Sequence, residues 1–565
     1  MKDTFFVTTP IYYTNGIPHI GHAYSSIIAD SLARYNKING KRVKFSTGVD
    51  ENSQKALDKA TEANMEIMPY LDYMAAEHKA VWDGLKIEYT DFIRTTEERH
   101  HKLVSEVLQK SFDNGDIYEG EYEGMYCVGC ESFKKDEDLV FMNKTTGETF
   151  PISDKVKESE NIIKVCPDHL KTPQTIKEKN YFFRLSKYQD FLIDYYEKNP
   201  EFVVPGDRFN EVKAFVKRGL EDFSISRETN KFGIKLPFDQ TQVTYVWYDA
   251  LFNYVTVCRE SDSGKDESEF WPADLHIVGK DIIRFHAIYW PAMLHSAGLP
   301  LPAQVLTTGF FTVNGQKISK SLGNAIDPVE FSAKYSKDLL TLYLLSSFNI
   351  GQDGDFDEKQ AVLTYNAKLA NNLGNLVNRV VVLSLKLEEK PGILKGRIDD
   401  NYIINIDGFT EFANYGIRNL DLLHPDKNKA IVQLNFKNFI ETYHGIIKDN
   451  YKRYELKSTL DESFYFLDTL NKFADDKQPW QTIKDIGKQE ETREVLYTIA
   501  EGLRQVGLAL YAFFPEKMSE MFVKLGLENY KERLENGELQ ALISETPVFN
   551  IKEKGDALFA RIDIV

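Results

Sequence analysis

Apolar positions alternate between two periods over the first 115 residues. Residues 5–8 and 43–47 are short apolar runs that read as buried strands, whereas 25–35, through Ile27, Ile28, Leu32 and Tyr35, and 53–63 carry helical spacing. Strand, helix, strand, helix predicts a parallel sheet with helices on its faces. The pattern breaks from about 116 to 230, where Gly/Tyr-rich turns, three cysteines and a polar run over 143–161 predict an inserted subdomain. It resumes with a strand at 274–278, a helix at 282–296 and a strand at 304–308. Asn314-Gly315 then sits between short β stretches and predicts a tight hairpin, because both turn residues need positive φ. From about 360 to 540 the chain reads as nearly all helix, with Leu369, Leu373, Leu376, Val377 and Val380 at helical spacing. The Gly/Asn/Asp-rich stretch 391–426 predicts a loop or hairpin within it.

Composition narrows the class. The chain has 565 residues, 42% hydrophobic and 27% charged, which suits several globular units. No apolar run is long enough to cross a bilayer, and no secretory leader precedes Phe5. Four cysteines predict a reducing compartment, the cytoplasm, rather than a disulfide scaffold. A net charge of −17 argues against a general nucleic-acid coat and leaves room for a local basic groove.

Two clusters can handle phosphate. His19-Ile20-Gly21-His22 lies between the first strand and the first helix. A helix starting there presents unpaired amides and its positive end, with two imidazoles alongside. Gly21, without a Cβ, lets a nucleotide come close. Lys317-Ile318-Ser319-Lys320-Ser321 follows the Asn-Gly hairpin, and two ammonium groups on a loop can follow charge moving over a polyphosphate. Taken singly, each also reads as a surface turn or a solvated basic loop.

Together, in this order and context, the two clusters resemble the signatures of class I aminoacyl-tRNA synthetases. Within that class the chain resembles the methionyl-tRNA synthetase family over nearly its whole length. The matching segments are Thr8-Thr9-Pro10-Ile11-Tyr12-Tyr13-Thr14-Asn15-Gly16, Thr47-Gly48-Val49-Asp50-Glu51, Tyr245-Val246-Trp247-Tyr248-Asp249-Ala250 and Gly279-Lys280-Asp281-Ile282-Ile283-Arg284-Phe285-His286. The resemblance implies an α/β fold: a Rossmann-type parallel-sheet catalytic domain split by a zinc-knuckle insertion, then an all-α helical bundle that binds the anticodon. The implied boundaries are 1–115 and 231–325 for the catalytic halves, 116–230 for the insertion, 326–362 for a linking segment and 363–565 for the helical domain.

The same resemblance assigns roles. Ile11, Tyr13, Trp247, Ala250, Tyr254, Ile282, Phe285 and His286 are expected to enclose a methionine side chain, with Asp50 on its ammonium. Aromatic walls suit a polarizable thioether, and a polar tip such as His286 or a tyrosine hydroxyl is expected to reach the sulfur. His19, Gly21, His22, Gly279, Lys280, Asp281, Lys317 and Lys320 are expected to border ATP, with Mg²⁺ sharing the charge. His19, His22, Lys317 and Lys320 are the expected catalytic groups. The chain departs from the family pattern at Asn52-Ser53, where His-Gly is common, at Leu251, where some members have proline, and at Ile318, where the loop usually has methionine.

In the insertion, Cys127-x₂-Cys130 and Cys166-x₂-His169 have the spacing of two zinc knuckles that close a structural Cys₃His site. Unmetallated turns or a redox Cys-x-x-Cys are the other readings of that spacing. Cys258 is left over, as a buried thiol. Asn375 and Arg379 lie one turn apart on a polar helix face, and Pro479-Trp480 starts a later helix. By resemblance Asn375, Arg379 and Trp480 contact an anticodon, by the stacking and hydrogen bonding that splayed RNA bases allow. The expected partners are methionine, ATP and a methionine tRNA. A monomer is expected because no dimerising extension follows 558–562.

Residues 23–316 leave little room for the editing domain of a leucyl, isoleucyl or valyl enzyme. A sister class I enzyme for leucine, isoleucine, valine or cysteine, a small-molecule adenylyltransferase and a silent tRNA-binding protein are the competing readings.

Overall fold

The computed structural model describes residues 3–127, 132–134, 136–152, 158–167, 170–228, 232–313, 315–318, 324–407 and 431–563. Six parallel strands form the central sheet. They are Thr4–Tyr13 (β1), Arg42–Asp50 (β2), Asp91–Arg94 (β3), Val203–Val204 (β4), Leu275–Gly279 (β5) and Gln304–Thr308 (β6). The order across the sheet is β4-β6-β5-β1-β2-β3, and every neighbouring pair is parallel. The order reverses between β1 and β5, and ligands settle outside the carboxyl ends of strands at such a reversal.

The strands are buried along most of their length, polar residues included, because helices cover both faces. Phe6, Val7, Phe45, Val49, Ile277 and Leu306 are all fully buried. Gly48 meets a constraint of its own: a Cβ there would lie 2.1 Å from the Ile93 carbonyl oxygen, so only glycine lets β3 approach β2. The register slips between Thr8 and Ile11, a bulge that re-aims the end of β1 just before the site.

Helix α1 spans Ile20–Ile38, beginning one residue before Gly21 and continuing beyond the 25–35 expected from periodicity. The 116–230 segment folds around a long antiparallel pair, Ile117–Cys127 against Gln174–Phe183. A small sheet of Val140–Asn143, Thr149–Pro151 and Ile162–Val165 is added to it. The outer edge of the central sheet, β4, also comes from this segment. The expected helix at 282–296 is not uniform. Phe285–Tyr289 form a wide π-helical turn, and only Trp290–Ser296 is regular α-helix.

The C-terminal half is helical as its periodicity predicts, with long helices at Phe436–Lys452, Leu456–Lys477 and Gln489–Leu510. The stretch around 391–426 contains one arm of a hairpin, Ile403–Asp407, paired with Ile431–Asn435. One hydrophobic core runs from Val7 and Phe45 in the sheet to Leu467 and Leu503 in the bundle. Among the described residues no helix is long and apolar enough to cross a membrane.

Candidate functional site

The end of β1 and the start of α1 form the first wall of the site. His19 is the N-cap of α1, in extended backbone, and its Nδ1 accepts the Gly21 N–H at 3.1 Å. The His22 Nδ1 accepts the His19 N–H at 3.1 Å, and the two ring centroids are 4.0 Å apart. The imidazoles therefore do the capping that a Ser and a Glu do in an ordinary capping box. Because each Nδ1 is an acceptor, the proton of each neutral ring sits on Nε2, and both rings become donors on the side away from the cap. The preceding loop is tied down by two long side chains of helix Ile67–Gly84. Tyr70 donates to the Thr14 carbonyl at 2.7 Å, and His78 Nε2 donates to the Gly16 carbonyl at 3.1 Å.

The second wall is a small, narrow cavity of about 30 Å³. Ile11, Tyr13, Asp50, Trp247, Ala250, Tyr254, Ile282 and His286 line it, eight of the nine residues expected around methionine. The ninth, Phe285, stacks on Trp247 with centroids 3.9 Å apart and the planes 4° from parallel. Asp50 lies at the carboxyl end of β2, opposite Tyr13 at the end of β1.

Inside the cavity the polar tips are already engaged. The Ile282 carbonyl can only accept, so His286 Nδ1 carries the proton and donates to it at 3.0 Å. His286 Nε2 is then the acceptor for the Tyr254 hydroxyl at 2.8 Å. The His286 Nδ1–H and the Tyr254 hydroxyl are thus both committed within the protein. Burial holds His286 neutral, with its pKa lowered to about 4.

Residues that sequence reasoning missed support this wall. His276 sits in β5 opposite Thr8. Trp290 Nε1 donates to its Nε2 at 3.2 Å, so its Nδ1 donates to Thr8 Oγ1 at 2.8 Å. Its ring also lies 4.3 Å from that of Tyr254. The signal was available: His276 is the one polar residue in the otherwise apolar run Leu275–Gly279. Pro10, Leu251 and Asn253 also line the cavity. The Asn52 departure has a local account. Its amide donates to Asp249 Oδ2 at 3.0 Å and to the Thr95 carbonyl at 3.1 Å, joining the helix that carries Trp247 to the end of β3. Ser53 caps the next helix by accepting the Ala56 N–H.

The third wall comes from the second half of the sheet. Gly279 ends β5, and a Cβ on it would meet the end of the Asp281 carboxylate at 2.6 Å, a contact that side chain relieves by turning aside. Lys280 pairs with Asp353 at 2.5 Å. The predicted hairpin is present, with Thr312 opposite Lys317 and Val313 opposite Gln316, and Gly315 has φ +72°. Ile318, the departure from methionine, is buried in the main core and anchors the loop root. Only the backbone of Lys317 is described, and Lys320 lies outside the described residues. Two contacts join this half to the histidine wall: the Ile20 N–H donates to the Ile326 carbonyl at 3.1 Å, and Phe311 packs edge-on against Tyr24 of α1 with centroids 4.9 Å apart.

Farther away, the Arg379 guanidinium lies 5.7 Å from the Trp480 ring, and Asn375 is exposed one turn before Arg379. Gln478, in left-handed backbone at φ +46°, turns the chain so that Pro479-Trp480 starts a new short helix. Of the expected metal ligands, Cys127 and Cys166 are buried, while Cys130 and His169 lie outside the described residues. Among the described residues no cluster of three or more His, Cys, Asp or Glu is arranged to hold a metal.

Comparison with known proteins agrees with this geometry. A family model, tRNA synthetases class I (M), matches residues 5–381. Methionine–tRNA ligase of Thermotoga maritima is 39% identical over 537 residues, covering 94% of this chain and 77% of that protein. Methionine–tRNA ligase of Bacillus subtilis is 38% identical over 570 residues, covering 100% of this chain and 78% of that protein. The structure of Mycobacterium tuberculosis methionyl-tRNA synthetase in complex with methionyl-adenylate superposes with a TM-score of 0.83 at 30% identity, over 99% of this chain and 100% of that one.

The buried His286 has a measurable consequence. Its folded pKa of about 4 is below the ordinary 6.5. Below pH 6.5 the unfolded chain takes up a proton here that the folded chain refuses. This contribution to stability is therefore complete above 6.5 and is lost as pH falls toward 4. His286→Asn should flatten the dependence of unfolding free energy on pH across that window, by at most about 1.4 kcal/mol per pH unit. Urea unfolding at a series of pH values measures it, and an unchanged slope would contradict the assignment.

Proposed function

The chain belongs to the class I tRNA synthetases (M), and on that premise we propose the reaction its cleft supports best. The protein is an ATP-dependent aminoacyl-tRNA ligase that activates methionine to methionyl-adenylate with release of pyrophosphate, then transfers the methionyl group to the 3′ end of a methionine tRNA. The observation that carries this reading is the juxtaposition of an aromatic cavity closed by Asp50 with two imidazole donors at the start of α1, all at the carboxyl edge of one sheet.

The roles follow from the chemistry of each wall. Methionine's thioether lies against Trp247, Phe285, Tyr13 and Tyr254, with Ile11, Ala250, Ile282 and His286 closing the sides, and its ammonium faces the Asp50 carboxylate. ATP, as its magnesium complex, spans the turn Gly279-Lys280-Asp281 and the imidazoles of His19 and His22 beside Gly21. Methionine's carboxylate oxygen attacks the α-phosphorus, a P–O bond forms, and the bond to the bridging oxygen of pyrophosphate breaks in line. No covalent enzyme intermediate is needed, so positioning and stabilisation of spread negative charge supply the rate. The Nε2–H donors of His19 and His22 meet the α-phosphate charge, and Lys317 and Lys320 follow the departing β- and γ-phosphates. In the second step the 2′-hydroxyl of the terminal adenosine attacks the methionyl carbonyl and AMP leaves. Arg379 and Trp480, already in contact, form with Asn375 the face for anticodon bases, where a ring stacks and polar groups read edges.

A structural zinc in the insertion belongs to the same reading. Cys127 ends a long strand, and Cys166 opens a tight turn in which Leu170 N–H bonds back to its carbonyl at 2.8 Å. Two buried thiols at such positions suit a soft tetrahedral metal completed by Cys130 and His169. Four cysteines in 565 residues favour a reducing compartment, and the proposed enzyme is a cytoplasmic monomer. Native mass spectrometry should find a single chain with one zinc; a metal-free or dimeric species would remove this part of the proposal.

Two experiments test the reaction. ATP–pyrophosphate exchange with a panel of amino acids should proceed with methionine alone, while exchange driven by leucine or cysteine would reassign the cavity. His19→Asn keeps an acceptor for the Gly21 N–H and so should stay within about 0.5 kcal/mol of the parent in stability, whereas His19→Ala should lose about 1 kcal/mol. Both should lose exchange by about 100-fold or more, since each lacks the Nε2 donor. An active His19→Asn would sink that role.

A further inference from the structure

The hairpin that leads into Lys317–Ser321 is too small to hold its own shape. It has two cross-strand pairs, Thr312 with Lys317 and Val313 with Gln316. A two-stranded hairpin of that size is marginal without outside support. The support comes from strand Gly354–Phe356, which runs parallel to Phe311–Val313 and sets Asp355 opposite Thr312. One oxygen of the Asp355 carboxylate, Oδ1, accepts the Thr312 hydroxyl at 2.6 Å and the Gly315 N–H at 2.8 Å. It therefore grips the first strand and the turn together.

Two residues earlier, on the same side of the chain, Asp353 makes a second grip. Its Oδ1 accepts the Phe310 N–H at 2.8 Å, and its Oδ2 pairs with the Lys280 ammonium at 2.5 Å. Lys280 reaches it across the Phe310 ring, 4.6 Å from the centroid. The backbone is committed to this approach: a Cβ on Gly309 would lie 2.0 Å from the Gln352 carbonyl oxygen. Both aspartates are exposed. Exposed ion pairs and surface hydrogen bonds add little to stability. Their effect here is geometric, because they join the turn after β5 to the hairpin at β6.

We propose that Asp353 and Asp355 are positioning residues of the adenylation step: Asp355 sets the shape of the hairpin that delivers the phosphate-binding lysines, and Asp353 locks its root to Lys280. This deepens the ligase reading and rests on it. Neither carboxylate touches substrate. Each acts through the place it gives to a cationic group on the triphosphate.

The test compares Ala and Asn at each position in the full-length chain. Asp355→Ala should lower the turnover of methionine-dependent ATP–pyrophosphate exchange by about 10- to 100-fold, the loss that a misplacement of about 1 Å produces. The methionine dissociation constant, read from Trp247 fluorescence, should stay within about twofold, because the cavity is built by other elements. Asp355→Asn should restore most of the turnover, since an amide oxygen accepts both bonds. Asp353→Asn keeps the Phe310 bond but not the charge, and should raise the ATP KM without moving that for methionine. A turnover loss under about threefold in Asp355→Ala, an equal loss of methionine affinity, or an Asn variant no better than Ala would each overturn the proposal. Absence of exchange in the parent chain would instead overturn the ligase reading itself.

Discussion

Strand β1 has to hold two partners at once. On one side it pairs with β2, its near neighbour in sequence. On the other it pairs with β5, and the Thr8–His276 hydrogen bond closes a separation of 268 residues. Asp274 adds to that seam by accepting the Phe6 N–H at 2.8 Å. Because all the strands run parallel, this seam brings Tyr13, Asp50 and Gly279 to one edge. The cavity and the imidazole cap of α1 both open at that edge. The His276 imidazole is the point where the seam meets the cavity, bonded across to β1 and lying against Tyr254 behind the pocket wall. Burial keeps it neutral, with its pKa well below the usual imidazole range.

The edge separates two chemistries. The cavity is aromatic, and its histidines carry no charge at ordinary pH. Their protons are committed to Ile282 and Thr8, so nothing there competes for a carboxylate or phosphate. The other side presents the imidazole Nε2–H donors at the start of α1. An amino acid with an apolar side chain can span the boundary, its tail in the neutral half and its carboxylate at the charged half.

How much of this was legible in the sequence depended on the range of each interaction. The His19–His22 cluster is closed within four residues, and the Asn-Gly turn within two, so their places in the chain could be read directly, although the amides expected to be unpaired there are capped by the imidazoles themselves. The cavity residues could be named only because whole segments resemble a family; none of them announces itself by periodicity. The π-helical turn at Phe285–Tyr289 was invisible because apolar spacing does not distinguish a wide turn from a regular one over five residues. It places His286 in the cavity lining and the adjacent Phe285 on the Trp247 ring, and π-turns recur where a site needs such a shift. β4 escaped notice because two valines make no pattern. Asn52 reaches Asp249 across 197 residues, and Asp355 reaches Thr312 across 43, so nothing near either partner in sequence signals the contact.

The helical half is more than an appended RNA module, because it fixes the far end of α1. That helix has 19 residues, so its imidazole cap stands about 28 Å from its other end. At that other end Tyr35 stacks on Tyr451 with centroids 3.5 Å apart, and Arg34 donates to the Ala512 carbonyl at 2.9 Å. Arg34 is buried and bonded through its remaining nitrogens to Asp30 and Glu88, so this is a satisfied polar anchor rather than a sliding surface. A helix clamped at one end by the bundle and capped at the other by its own histidines has little freedom to rotate. The direction in which His19 and His22 donate is therefore set jointly by a hydrogen-bonded turn and by packing a helix length away. The continuous core from Val7 to Leu503 is the physical expression of that joint control.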